Sequence, residues 1–302
     1  MGATKNQGGV HSVLHGFVNS FVNSFDLEVG STRVRVCPRT GKIQGLRARG
    51  REWLVPAPEG AAEALAAGHQ EAATRFTIHE AWGADECYPS VGGLSGFLSA
   101  AVRDHGEVWG RPCVVESHGA SHHHGTWTLP MPGSPVLRRR LLLEEVAGVP
   151  RLRVELDFPS RLPLCSGATE GVLEGLYAFH ALFLMETGSR LSFLNASAKA
   201  HLWGVFPSPA EPCAHKFYMR AQSALLVHPD SSACRLTVLD SEPGNFGIWW
   251  CNNGWGDGRE HRVAGLEPTT HLSDGPLFDT SEPGTSPSEK ARLFAFQLEF
   301  PA

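Results

Sequence analysis

Titratable and aromatic residues gather in three short segments of the chain. Trp82-Gly83-Ala84-Asp85-Glu86-Cys87-Tyr88-Pro89 is followed by Asp104-His105-Gly106-Glu107-Val108-Trp109. Acids, glycines and aromatics packed this densely mark either a tight loop or a polar cleft with aromatic walls. Asp85 and Glu86 would bind hydroxyls in such a cleft, or Glu86 would pair with an arginine as structure. The second segment, Leu176–Met185, is apolar throughout except for His180. Burying an imidazole costs free energy unless its nitrogens find partners, so His180 is either a hydrogen-bonded core histidine or a working group. The third is Leu266-Glu267-Pro268-Thr269-Thr270. A residue before proline is pushed toward extended geometry, and proline itself belongs at a strand start, edge or bulge. Glu267 therefore sits at a strand end, where its carboxylate either reaches into a cleft or is solvated.

Other patterns are weaker. Fifteen histidines are a compositional oddity, and His122-His123-His124 with His118 invites a metal reading. Adjacent strand residues point to opposite faces, however, and no HExxH or carboxylate at ligand spacing accompanies them. No metal site is expected. Neither a GxGxxG or P-loop pattern nor a GxSxG elbow is present. Seven cysteines, an odd number without CxxC spacing, fit neither a disulfide scaffold nor a zinc ribbon.

Period-2 alternation supplies the elements that must hold these groups. Leu152, Val154, Leu156 and Phe158 face one way and Arg151, Arg153, Glu155 and Asp157 the other; Phe294, Phe296, Leu298 and Phe300 repeat the pattern, as do Val34 and Val36 against Arg33 and Arg35. Arg39–Lys42 and Arg49–Arg51 read as turns of an early meander. The helical stretch is Glu59–Ala67. Met131–Pro135 is the best linker candidate, but strands of the same kind flank it, so the expectation is one mainly β, sandwich-like domain over residues 1–302.

The chain carries 26 basic and 31 acidic residues, a net charge of −5. With no long basic run, it is a poor nucleic-acid or anionic-membrane binder. No stretch approaches the roughly 18 apolar residues of a membrane span, and Met1–Phe25 lacks the charge and apolar core of a secretory signal. A cytoplasmic protein, monomeric or homodimeric, is expected.

The order of the three segments is similar to that of the aldose 1-epimerase (galactose mutarotase-like) superfamily: an aromatic-Pro segment, then His-Gly, then a lone histidine in an apolar strand, then Leu-Glu-Pro near the C-terminus. Gly45–Leu54 resembles that family's early meander, and Cys87-Tyr88-Pro89 followed by His105-Gly106 resembles the hexose-6-phosphate epimerase branch. The resemblance implies a large antiparallel β-supersandwich with a sugar cleft on one face and a small carbohydrate as partner. It implies Glu267 as the base that takes the anomeric proton and His180 as the acid that protonates the ring oxygen. His105 would help hold that oxygen and a neighbouring hydroxyl. A carboxylate of pKa ~4.3 and an imidazole of pKa ~6.5 suit these proton transfers near neutrality, and no cofactor is required.

The chain departs from the family pattern at several places. Thr74-Arg75 stands where many members have Asn-Arg, Ala181-Leu182 follows the acid histidine in place of Tyr-Phe, and Asp257 is the candidate for the sugar-gripping aspartate. Arg75, Asp85, Glu86, Trp109 and Asp257 make up the expected sugar-binding set. A sugar-phosphate epimerase would need a cationic pocket, for which Arg75, Arg103 and Arg111 are candidates. A non-catalytic carbohydrate-binding module would instead use Trp82, Trp109, Trp249, Trp250 and Trp255 as stacking platforms.

Overall fold

Side chains alternate between core and solvent along the strands as the sequence patterning predicts. In Val149–Pro159, residues 150, 152, 154, 156 and 158 are buried and those between them are half-exposed. Thr32–Val36 behaves likewise, burying Val34 and Val36 and exposing Arg33 and Arg35. The structure is a computed structural model that describes residues 24–62, 81–92, 105–130, 133–166, 169–195, 199–240, 244–253, 262–273, 277–279 and 291–302.

Among the described residues these strands assemble into two large sheets and one small one, with every strand pair antiparallel. The first sheet runs, in order of pairing, through Phe25–Val29, Thr32–Val36, Ile43–Ala48, Ala84–Cys87, Ala178–Leu184, Arg262–Thr269, Gly244–Asn252 and Cys213–Ala221, with Arg51–Glu52 paired to Ile43–Ala48. The second runs through Ala200–Val205, Arg190–Leu194, Ser223–Val227, Ala233–Val238, Ala291–Glu299, Val149–Pro159, Val136–Val146, His122–Thr128 and Val114–His118. Arg161–Ser166, Thr169–Glu174 and Leu277–Asp279 form the small sheet.

One apolar cluster lies between the two large sheets. It takes Phe179, Ala181, Phe183, Phe246, Ile248 and Leu266 from the first, and Leu152, Val154, Leu156, Phe294, Phe296 and Leu298 from the second. Phe179 and Phe296 meet across the layer with ring centroids 4.8 Å apart. A buried ion pair crosses it as well: Arg139 of Val136–Val146 reaches Glu86 of Ala84–Cys87 at 2.5 Å, donates to the Gly41 carbonyl at 2.6 Å and lies over the Trp127 ring. Burial raises the Glu86 carboxyl above its ordinary range, against the lowering effect of Arg139.

Several expectations resolve here. Of the linker candidate Met131–Pro135, Met131 and Pro132 lie outside the described residues; on either side of it Thr128 faces Val136 across one antiparallel strand pair. Strand alternation splits the histidine run: His123 is buried, and burial pulls its pKa down to about 3. His122 and His124 lie together on the other face, with ring centroids 5.7 Å apart. Of the expected helix Glu59–Ala67, residues 61–62 are helical and 63–67 lie outside the described residues. No helix among the described residues is long and apolar enough to cross a membrane.

Candidate active site

Because alternate residues of a strand face opposite ways, sending Phe179, Ala181 and Phe183 into the core turns His180 to the outer face of the first sheet. Strand register then decides what stands beside it. Asp85 lies directly opposite His180 on one side. On the other, the pairs Ala178–Thr269 and Ala181–Leu266 bring Glu267 level with it. Glu267 faces Gly247 on the next strand, and Gly247 faces Tyr218 on the edge strand. Asp85, His180, Glu267, Gly247 and Tyr218 thus form one row across five strands. Trp249 and Lys216 lie one row along.

Glu267 and His180 meet in that row, with Oε1 3.4 Å from Nε2 and only 1% and 5% of their side chains exposed. Two glycines make room for the carboxylate. A Cβ on Gly247 would stand 3.0 Å from Glu267 Oε2, and one on Gly265 would stand 3.3 Å from Oε1. Small residues flanking a buried acid on both sides leave it a slot in the sheet surface.

A loop brings His105 over the same row. Its ring centroid lies 5.1 Å from that of His180 and 5.9 Å from that of Trp109. The loop is pinned to the segment after Ala84–Cys87: His105 N–H donates to the Val91 carbonyl at 2.8 Å and Glu107 N–H to the Tyr88 carbonyl at 2.7 Å. His105 takes a left-handed conformation (φ 62°), uncommon for a residue with a side chain. The next residue must be glycine: at φ 78° a Cβ on Gly106 would stand 2.4 Å from the Tyr88 carbonyl oxygen. The His-Gly dipeptide is therefore a backbone requirement that aims one imidazole at another.

Burial and neighbouring charges act on two groups of this face. Burial, then the neighbouring His105, Lys216 and Lys42, hold His180 well below the ordinary imidazole range. Burial, then the charges of Glu267 and Asp85, push the Cys87 thiol well above its ordinary range. Asp85 is ion-paired with Lys42, whose ammonium lies over the Trp82 ring at 4.3 Å.

The expected residues separate into four groups. His105, His180, Glu267, Asp85 and Trp109 come together on the outer face. Glu86 is turned inward to Arg139 and does not join them. Arg75, Arg103, Trp255 and Asp257 lie outside the described residues. Arg111 holds Glu107 at 2.9 Å. Lys42, Lys216 and Tyr218 were not anticipated as members of the site. The available signal was the alternation of Lys216 and Tyr218 in Cys213–Ala221, which gives a face but no partner. Cys87 adds a further group, since its sulfur and one nitrogen each of His105 and His180 lie within 4.8 Å of one another.

Two packed antiparallel sheets give a β-sandwich of the galactose mutarotase-like fold. Solved structures share the fold. A candidate aldose 1-epimerase of Escherichia coli K12 superposes with a TM-score of 0.60 at 13% identity, over 92% of this chain and 98% of its own. The galactose mutarotase related enzyme of Lactobacillus acidophilus gives 0.56 at 11%, over 92% and 97%. A galactose mutarotase-like protein of Lactobacillus casei gives 0.55 at 12%, over 92% and 100%. No family model matches the chain, and no curated protein matches its sequence.

Proposed function

We propose that the site interconverts the α and β anomers of a free aldose. The observation that carries this reading is the contact between Glu267 and His180, both buried and 3.4 Å apart, on the outer face of the sheet. Glu267 removes the proton of the anomeric hydroxyl. The C1–ring-oxygen bond breaks as His180 delivers a proton to that oxygen, giving the open-chain aldehyde. C1 turns, the ring oxygen attacks its other face, and the two protons return. Each needs one positioned partner, and each such transfer contributes on the order of 10²–10⁴-fold. His105, held over His180, hydrogen-bonds the ring oxygen or the adjacent hydroxyl. Trp109 and Trp249 offer apolar walls for the sugar's faces.

The depressed basicity of His180 has a definite consequence. Its acid form is the minor one at neutral pH, so proton delivery to the ring oxygen draws on a small protonated fraction.

Anomer exchange followed by NMR on glucose, galactose and xylose, with glucose 6-phosphate beside them, tests the proposal. Glu267→Gln keeps the shape of the side chain and cannot act as a base. It should lower kcat by about 10²–10⁴-fold with sugar binding close to wild type. Full turnover in that variant would remove Glu267 from the mechanism. Saturable sugar binding by a wild-type chain that accelerates no anomer exchange would establish a binding module instead.

A further inference from the structure

We propose that Cys87, His105 and His180 bind one transition-metal ion of the Zn²⁺ class, and that metal-bound and proton-transferring states of His180 exclude each other. The three donor atoms lie within 4.8 Å of one another. Around a tetrahedral ion with metal–sulfur bonds of about 2.3 Å and metal–nitrogen bonds of about 2.0–2.1 Å, neighbouring donors stand roughly 3.3–3.6 Å apart. Closing the difference takes small side-chain rotations rather than a new backbone.

The backbone already holds the three residues in place. Cys87 faces Ala178 and Asp85 faces His180 across one strand pair, so Cys87 and His180 are diagonal neighbours on the outer face. His105 is fixed from the other side, through its loop's hydrogen bonds to Val91 and Tyr88.

Donor chemistry selects the ion. One thiolate and two imidazoles suit Zn²⁺ and Co²⁺, whereas Mg²⁺ and Ca²⁺ prefer oxygen. Binding releases the Cys87 thiol proton to solvent. The resulting charge of +1 on the metal–thiolate unit lies beside Glu267, which approaches His180 to 3.4 Å. A carboxylate placed against a ligating histidine is a common supporting group of such sites. Three protein ligands leave a fourth position open. A ligated His180 has no nitrogen lone pair left for the proton it would give and take back, so the ion acts as an inhibitor of acid–base turnover.

The test uses the untagged full chain, stripped of metal and titrated with Co²⁺. Expected are one ion bound per chain, a thiolate-to-cobalt charge-transfer band in the near ultraviolet, and displacement of both by Zn²⁺. Cys87→Ser and Cys87→Ala, each checked for wild-type circular dichroism, should lose the band and the stoichiometric uptake. Uptake without a thiolate band, as surface histidines would give, or a band surviving in both folded variants, would overturn the proposal.

Zn²⁺ at one equivalent should also suppress anomer exchange, with recovery on adding a chelator; unaffected turnover at full occupancy would refute mutual exclusion. The inference uses residues of the proposed active site but does not need turnover. A chain that binds Co²⁺ and exchanges no anomers refutes the epimerase reading alone, whereas one that exchanges anomers and binds no metal refutes this one alone.

Discussion

Substituting Gly247 by alanine probes whether the position of Glu267 matters, without replacing any titratable group. The added Cβ would stand 3.0 Å from Glu267 Oε2 and 3.2 Å from Tyr218 Cε1, where 3.4 Å begins ordinary contact. The carboxylate must therefore retreat by roughly 0.4 Å. A misplacement of 1 Å in a catalytic group costs about 10²-fold, so this shift scales to about 5–10-fold in kcat, or about 1–1.4 kcal/mol. Gly204→Ala is the control, because a Cβ there meets nothing within 4 Å. Anomer exchange by NMR gives the rate, and urea unfolding checks that the fold persists. If the effect runs through the carboxylate, Gly247→Ala should add little in a Glu267→Gln background, since residues acting as one unit are not additive. Wild-type kcat in a folded Gly247→Ala chain, or the same loss repeated in the Gln background, would refute the slot as a positioning device.

Two further outcomes follow from buried charge. Arg139→Met should destabilise the fold by about 3–5 kcal/mol, because it strands Glu86 without its cation; the double variant Arg139→Met/Glu86→Leu should recover most of that in urea unfolding, and equal stability of all three chains would show that the pair carries nothing. The pH profile of kcat should rise toward acid: His180 lies well below the ordinary imidazole range, so its protonated fraction falls about tenfold per unit above its pKa, and turnover should grow as pH is lowered below about 7 for as long as Glu267 remains the carboxylate the mechanism needs. A kcat that rises through neutrality toward alkaline pH would contradict His180 as the acid.

The β class was legible because one-sided burial writes a period of two into the strands, and Arg151–Phe158 and Phe294–Phe300 carry it plainly. His180 stood out as the one ionisable group in an apolar run, and Glu267 through its Leu-Glu-Pro setting, which puts it in extended backbone ahead of a proline. Their contact was not legible, because 87 positions of chain separate them and only strand register brings them level. The same holds for Lys42 beside Asp85, and for Lys216 and Tyr218, which reach the row from the sheet edge. Glu86 shows the converse. Its sequence neighbourhood is that of Asp85, yet a single step along the strand turns it from the outer face into the core.

That step also separates two kinds of buried carboxylate within one sheet. Glu86 has what a structural acid needs: a bidentate-capable guanidinium at 2.5 Å, fixed by a backbone carbonyl and an indole, and sealed between the sheets. Glu267 is as deeply buried but faces the other way, against an imidazole whose protonation can change, beneath a second imidazole held there by a left-handed residue and an obligatory glycine. Burying an ionisable pair costs more than filling the same space with apolar side chains would. The glycines at 247 and 265 forgo side-chain packing besides, because the carboxylate already occupies the space their Cβ atoms would need. A fold selected only for stability would have no use for either expense on its outer face. Under the proposed function both have a use: the paired ionisable groups exchange the proton, and the two glycines give the carboxylate the room in which it stays aligned.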